Sequence, residues 1–283
     1  MPHTILISTS LLAEHLDAYA IVDCRFDLQR EEWGREAYRA GHIPGAVYAS
    51  LNDDLSAART GRNGRHPLPS VDALAETFGR LGIDRATQVI VYDQDSGLFA
   101  SRLWWSIRYL GHDAVALLDG GWAKWIGEGR PTRLGDESRP AAVFVPAPRP
   151  DLRVGIDAVI AQLSDARTLL VDARGPDRFE GRSETIDPVA GHIPGATNHF
   201  YKQNLADDGT LLAPEALRVT FARLLDGRPA ADAVMYCGSG VSACHNLLAM
   251  EHAGLPGSRL YAGSWSEWSS DPARPVETGP SKR

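Results

Sequence analysis

Short apolar runs rich in β-branched residues alternate along the chain with stretches of helical period. Residues 20–25 (AIVDCR) and 88–93 (QVIVYD) read as strands, and their unbroken apolar character suits a sheet buried on both faces. Residues 69–81 carry Leu74 and Phe78 four apart, and residues 97–110 place Trp104, Ile107 and Leu110 at helical spacing. The second half follows the same scheme, with strands predicted over 168–174 and 233–237 and helices over 214–225 and about 242–253. This alternation predicts an α/β protein with a mostly parallel central sheet covered by helices.

The pattern is written twice. GHIPGA at 41–46 returns unchanged at 191–196, and IVDCR at 21–25 returns as LVDAR at 170–174. VIVYD at 89–93 becomes AVMYC at 233–237, and DGGWAKW at 119–125 becomes AGSWSEW at 262–268. Order is kept while loop lengths drift, the mark of a duplicated domain rather than a solenoid. The expected domains are 1–135 and 152–283, joined by a linker over 136–151 inside a Pro-rich, charged stretch. The Pro-rich tail after Ser270 is expected to wrap against the second domain or to fray.

Composition narrows the function classes. Among 283 residues, 43% are hydrophobic and 23% charged, with a formal net charge of −7, which suits a folded globular protein and disfavours nucleic acid as a partner. No apolar run approaches the roughly 18 residues of a membrane span, so no membrane association is expected. Glu14 and Asp17 interrupt the N-terminus where a signal peptide needs apolar residues, which points to the cytoplasm. Cys24, Cys237 and Cys244 form neither a disulfide framework nor a CxxC-type metal site, so no metal is expected and any special cysteine is a reduced thiol.

The candidate chemistry sits after the apolar run VMY, where Cys237-Gly238-Ser239-Gly240-Val241-Ser242-Ala243 leads into a helical stretch. A residue at the carboxyl end of a parallel strand faces the crevice where open α/β sheets bind ligands. Gly238 and Gly240 permit a tight curl whose backbone N–H groups turn inward, and the next helix adds its positive end; both stabilise a negative sulfur. Cys237 is therefore the candidate nucleophile. The equivalent position in the first copy is Asp93, so that copy reads as catalytically retired. A phosphatase cradle would want Arg five residues beyond its Cys, but Ala243 stands there. A Cys–His hydrolase or acyl transferase using His192, His199 or His245 stays open on the residues alone, as does a sulfur carrier that stores rather than turns over.

Together, the paired GHIPGA motifs, LLDGGWAKW, CGSGVSA and YAGSWSEW resemble the two-domain rhodanese-like sulfurtransferases, in the branch that holds the 3-mercaptopyruvate and thiosulfate sulfurtransferases. The resemblance covers almost the whole chain. It implies two tandem rhodanese-like domains, a catalytic Cys237 that carries sulfane sulfur as a persulfide, and no external cofactor. It also implies a small sulfur donor and a thiol, thioredoxin-type or cyanide acceptor. Mercaptopyruvate enzymes have a Gly-rich CGSGVTA-like loop, which Cys237 to Ala243 match except for Ser242. Thiosulfate enzymes carry a basic CRKGVT-like loop, where this chain has Gly238 and Ser239. The resemblance thus favours 3-mercaptopyruvate as donor, with thiosulfate as the alternative.

It further implies that Gly238, Gly240, Val241 and Ser242 contribute the anion cradle and that Arg178 binds the donor. A second family Arg falls where this chain reads SETIDP, with Arg182 as the nearby replacement. Ser239 and His66, in GRNGRHPLP, match a proton relay whose acidic member falls near Asn52, with Asp53 and Asp54 beside it. His42 and His192 recur in both copies and are expected to be structural. So are Cys24, Cys244, the Asp23–Arg25 and Asp172–Arg174 pairs, and Trp122, Trp125, Trp265 and Trp268, with Ser264 and Trp265 also candidates for the pocket mouth.

Overall fold

The computed structural model describes residues 2–163, 165 and 167–281. They form two compact units. Unit 1 comprises residues 1–57, 69–149 and 206–211, and unit 2 comprises 58–68, 150–205 and 212–283. The segment expected to link two domains belongs to unit 1 as far as Arg149. There Ala142, Ala147 and Arg149 donate their N–H groups to the carbonyls of Gly79, Leu110 and Tyr109 at 2.8–2.9 Å. Two loops also depart from simple sequence boundaries: residues 58–68 fold with unit 2, and residues 206–211 fold with unit 1.

Unit 1 contains the strands β1 (Leu6–Ile7), β2 (Ala20–Asp23), β3 (Ala46–Tyr48), β4 (Val89–Tyr92) and β5 (Val115–Leu118). Its helices are α1 (Thr9–Ala13), α2 (Trp33–Ala40), α3 (Val71–Arg80), α4 (Ala100–Tyr109) and α5 (Gly121–Gly127). The sheet order is β1-β5-β4-β2-β3, with every pairing parallel. Unit 2 repeats this with β6 (Arg153–Val154), β7 (Leu169–Asp172), β8 (Thr197–Asn198), β9 (Ala233–Tyr236) and β10 (Arg259–Tyr261). The sheet runs β6-β10-β9-β7-β8, again parallel throughout. Its helices are α6 (Ile156–Gln162), α7 (Pro176–Phe179), α8 (Pro214–Leu225), α9 (Ser242–His252) and α10 (Ser264–Trp268).

The four residues of β2, β4, β7 and β9 are all buried, as unbroken apolar runs in a sheet covered on both faces require. Strands β2 and β7 end earlier than the predicted runs because the Asp side chain at each end takes over the local hydrogen bonding. Asp23 Oδ1 accepts from the Arg25 N–H and Asp172 Oδ1 from the Arg174 N–H, both at 2.9 Å, which turns the chain out of the ladder.

Each Asp–Arg pair is fully buried and holds several elements at once. Arg25 Nε and Nη2 donate to Asp23, and Nη2 also donates to the Gly41 carbonyl at 2.6 Å; Arg174 does the same to Asp172 and to the Gly191 carbonyl at 2.7 Å. The guanidinium of Arg25 stacks over Trp122 at 4.6 Å and that of Arg174 over Trp265 at 5.0 Å. The strand that ends in this Asp (β2 or β7), the GHIPGA turn and the Trp helix of each unit are thereby tied at one point. His42 and His192 reinforce that turn: each donates Nδ1–H to a carbonyl, of Tyr38 at 2.8 Å and Phe179 at 2.7 Å, while its ring stacks on the same residue. Burial lowers the His192 pKa, so the ring stays neutral. The tail wraps unit 2, where Glu277 and His192 exchange backbone hydrogen bonds at 2.8 and 3.0 Å.

Removing one partner of such a pair leaves an unpaired buried charge, at a cost of about 3–5 kcal/mol. Arg25→Met should lower unfolding stability by that amount in a denaturant titration; a loss below 1 kcal/mol would show that the pair is not a structural anchor.

Candidate active site

Cys237 is the first residue after the buried β9, and it is itself buried. Its N–H donates to Ser264 Oγ at 3.0 Å, while its carbonyl and that of Gly238 accept from the N–H groups of Trp265 and Ser266 at 2.9 Å. The start of the loop is thus pinned to α10. Gly240 has φ +74°, and a Cβ there would lie 2.3 Å from the Ala262 carbonyl oxygen, so only glycine lets the loop turn this closely against β10. Val241 caps α9, which begins at Ser242, and the first N–H groups of that helix have no intrahelical acceptor.

What such a loop does to an anion is visible in unit 1. Asp93 follows β4 as Cys237 follows β9, and its carboxylate accepts from the N–H groups of Asp95, Gly97, Phe99 and Ala100 at 2.7–3.2 Å. The loop converges on the position after the strand, and in unit 1 that position carries its own anion. Burial pushes the Asp93 carboxyl up to about 6, against the pull of those N–H groups.

Ser239 Oγ lies 2.8 Å from His66 Nδ1, and both residues are buried within unit 2. His199 Nε2 bonds to Asn204 at 2.8 Å, His245 Nδ1 faces the same amide at 3.2 Å, and His192 holds the Phe179 carbonyl. Of the three candidate rings of the Cys–His alternative, His199 and His245 thus face Asn204 and His192 holds the GHIPGA turn. Asp53 and Asp54 are engaged in unit 1, with Arg35 and with Arg80 and the Ser50 N–H respectively.

Arg178, on α7, sends Nη1 and Nη2 toward the loop, 3.6 and 3.5 Å from where a Gly238 Cβ would lie. Its Nε donates to both oxygens of Glu184 at 3.0–3.1 Å and its Nη2 to Asp187 at 2.8 Å. Burial would raise the Glu184 pKa, but Arg178 and the N–H groups of Asp187 and Ile186 hold the carboxyl below its ordinary value and hence ionised. Arg182 does not join this group. It is 61% exposed and pairs with Asp177 and Glu180, because its N–H is drawn to the Asp177 carbonyl at 2.9 Å and the side chain leaves along the outer face of α7.

The second guanidinium beside the loop is Arg65, whose Nη2 is 2.9 Å from the Gly238 Cβ position and whose Nη1 pairs with Asp187. Sequence reasoning missed Arg65, Asp187 and Glu184. The available signal was the position of Arg65 immediately before His66. The remaining cysteines are structural: Cys244 Sγ lies 3.3 Å from the Gly240 carbonyl, and burial followed by Asp23, Asp93 and Asp54 pushes the Cys24 thiol well up, keeping it protonated.

Because the folded Asp93 carboxyl titrates above its ordinary 3.8, its stabilising share is full below about pH 4 and is lost as pH rises through 6. Relative to Asp93→Asn, the native protein should therefore lose about 2 kcal/mol between pH 4 and pH 7 in paired denaturant titrations. A pH-independent difference would contradict this.

A rhodanese-like domain model matches residues 8–128 and again 156–271. The chain is 48% identical over 261 residues to the "Probable 3-mercaptopyruvate sulfurtransferase" of Pseudomonas aeruginosa, covering 92% of each protein. It is 34% identical over 277 residues to the thiosulfate sulfurtransferase of Bos taurus, covering 93% of this chain and 91% of that one. The structure of 3-mercaptopyruvate sulfurtransferase from Leishmania major superposes with a TM-score of 0.84 at 30% identity, over 95% of this chain and 75% of that one. With both halves matched and relatives similar over almost their full length, the chain belongs to the rhodanese family and is a two-domain sulfurtransferase.

Proposed function

We propose that this enzyme takes sulfur from 3-mercaptopyruvate onto Cys237 and passes it to a thiol, a thioredoxin-type protein or cyanide. The Cys237 sulfur attacks the donor sulfur, forming an S–S bond as the donor C–S bond breaks. The bond's electron pair leaves with pyruvate as its enolate. The donor thiol's proton must reach the enolate carbon, and the overall change is thiolate plus mercaptopyruvate to persulfide plus pyruvate. N–H groups over 238–242 face the negative sulfur, and Arg178 orients the donor carboxylate.

The observation that carries this choice of donor is the 2.8 Å contact between Ser239 and His66 in the loop that bears Cys237. An enolate leaving group needs a proton, and a hydroxyl hydrogen-bonded to a buried imidazole can relay one. Thiosulfate releases sulfite, which needs none, so a thiosulfate enzyme has no use for the relay. Among the described residues no helix is long and apolar enough to cross a membrane. Three free, buried thiols suit the reducing cytoplasm.

Cys237→Ser should abolish both donor-dependent persulfide formation and turnover; retained turnover would sink the assignment, and a stoichiometric persulfide without turnover in the native protein would make it a carrier. Ser239→Ala should cut kcat with 3-mercaptopyruvate by about 10²-fold while changing thiosulfate turnover far less. Equal losses with both donors, or a native kcat/KM that favours thiosulfate, would overturn the choice of donor.

A further inference from the structure

A cavity of about 600 Å³ opens at the edge of unit 2, bounded by β8, the turn that follows it and the end of α8. We propose that it binds a free neutral α-amino acid, with the carboxylate on Arg223 and the ammonium group donating to His199 Nδ1, Asn198 Oδ1 and Asp226. The cavity shares no residue with the Cys237 loop, Arg178 or His66, so the site is independent of which donor supplies sulfur.

The duplication shows what Arg223 lacks. Counted from the two GHIPGA motifs, Asn204 stands where unit 1 has Asp54. Counted from the fully buried Phe78 of α3 and Phe221 of α8, Arg223 stands where unit 1 has Arg80. In unit 1 this Arg forms an ion pair with this Asp. In unit 2 the carboxylate is gone: Asn204 is buried and turned to His199, His245 and Asn246. Arg223 lines the cavity, and among the described residues its guanidinium makes neither a hydrogen bond nor an ion pair. A guanidinium whose internal carboxylate has been replaced by an amide can take the carboxylate of a ligand in a forked contact.

Other residues of the lining offer lone pairs. Asn246 Nδ2 donates to the His199 carbonyl at 2.9 Å, and a carbonyl only accepts. Asn246 Oδ1 therefore accepts from Asn204 Nδ2, and Asn204 Oδ1 accepts from His199 Nε2, each at 2.8 Å. The His199 proton is thus fixed on Nε2, burial lowers the pKa and keeps the ring neutral, and Nδ1 carries a lone pair. His199 is 4% exposed and lines the cavity, and Nδ1 has no hydrogen-bond partner among the described residues. Asn198 spends Nδ2 on the carbonyls of Asp172 and Arg174 at 2.9 and 2.8 Å, which leaves Oδ1 to accept. With the Asp226 carboxylate these make three acceptors for a cationic donor, while Leu169 and Leu224 supply apolar lining for a side chain. An α-amino acid carries the matching anion and cation on one carbon, whereas an inorganic anion satisfies Arg223 alone.

The test is calorimetric titration of the full chain and of Arg223→Gln with three probes of one carbon skeleton: L-leucine, 4-methylpentanoate, which lacks the ammonium group, and isopentylamine, which lacks the carboxylate. L-Leucine should bind the native protein, and each truncated probe should bind about tenfold or more weaker, because each leaves one set of polar groups unmatched. Arg223→Gln changes an exposed helix position, so it should keep the native melting temperature and native sulfur-transfer turnover while weakening L-leucine about tenfold or more. No binding of L-leucine to the native protein at millimolar concentration would overturn the proposal, as would equal affinity in a folded Arg223→Gln. Equal affinity for 4-methylpentanoate would overturn the amino acid as ligand. None of these outcomes bears on Cys237, whose role is decided by turnover of its own variant.

Discussion

The structure of the sulfur-transfer unit depends on one buried ion pair, Asp172 with Arg174, and on the contacts that radiate from it. The pair terminates β7, holds the GHIPGA turn through the Gly191 carbonyl and packs against Trp265. Two charges taken out of water at this depth are tolerable only when every remaining donor and acceptor is used, and here each use fixes another element. Burial alone would lower the Arg174 pKa, but Asp172 overcomes it and keeps the guanidinium charged. From Arg174 the network continues through Glu184 to Arg178, and through Asp187 to Arg65. A ladder of alternating charges thus runs from the end of a core strand to the lip of the Cys237 loop.

The two units show which part of this machinery is scaffold and which is chemistry. Unit 1 keeps the equivalent pair, Asp23 with Arg25, the Trp122 stack and the His42 turn. It also keeps a loop that gathers N–H groups after the central strand. What differs is the occupant: Asp93 fills its own loop with a carboxyl group, whereas the corresponding position of unit 2 carries the buried thiol of Cys237. A self-ligated loop has its inward N–H groups already engaged.

Within the family, a loop short of basic side chains poses an electrostatic problem, since both the donor and the persulfide are anionic. Here two guanidiniums from outside the loop, those of Arg65 and Arg178, stand beside Gly238. Residues 58–68 lie early in the sequence but fold with unit 2, where Arg65 and His66 enter the site as neighbours, one toward Gly238 and one toward Ser239. Adjacent residues of one segment thereby reach two adjacent residues of the loop.

Much of this was legible in the sequence. Unbroken apolar runs ending in Asp, Cys or Asp-x-Arg placed β2, β4, β7 and β9, because strand burial depends on local composition. Duplication of GHIPGA and of the Trp motif revealed two α/β units, and the Gly-rich CGSGVSA segment marked the candidate nucleophile, because a tight anion-holding turn needs particular residues in consecutive positions. The roles of Arg65, Asp187 and Arg182 were not legible. Which guanidinium reaches Gly238 depends on where a surface loop docks and which carboxylate captures each side chain. Arg182, close in sequence to the expected position, is captured by Asp177 and Glu180, whereas Arg65 arrives from more than a hundred residues away. Local pattern determined the strands, the repeat and the candidate nucleophile; only tertiary packing decided which charges surround it, because long-range ion pairing leaves no periodic trace in the chain.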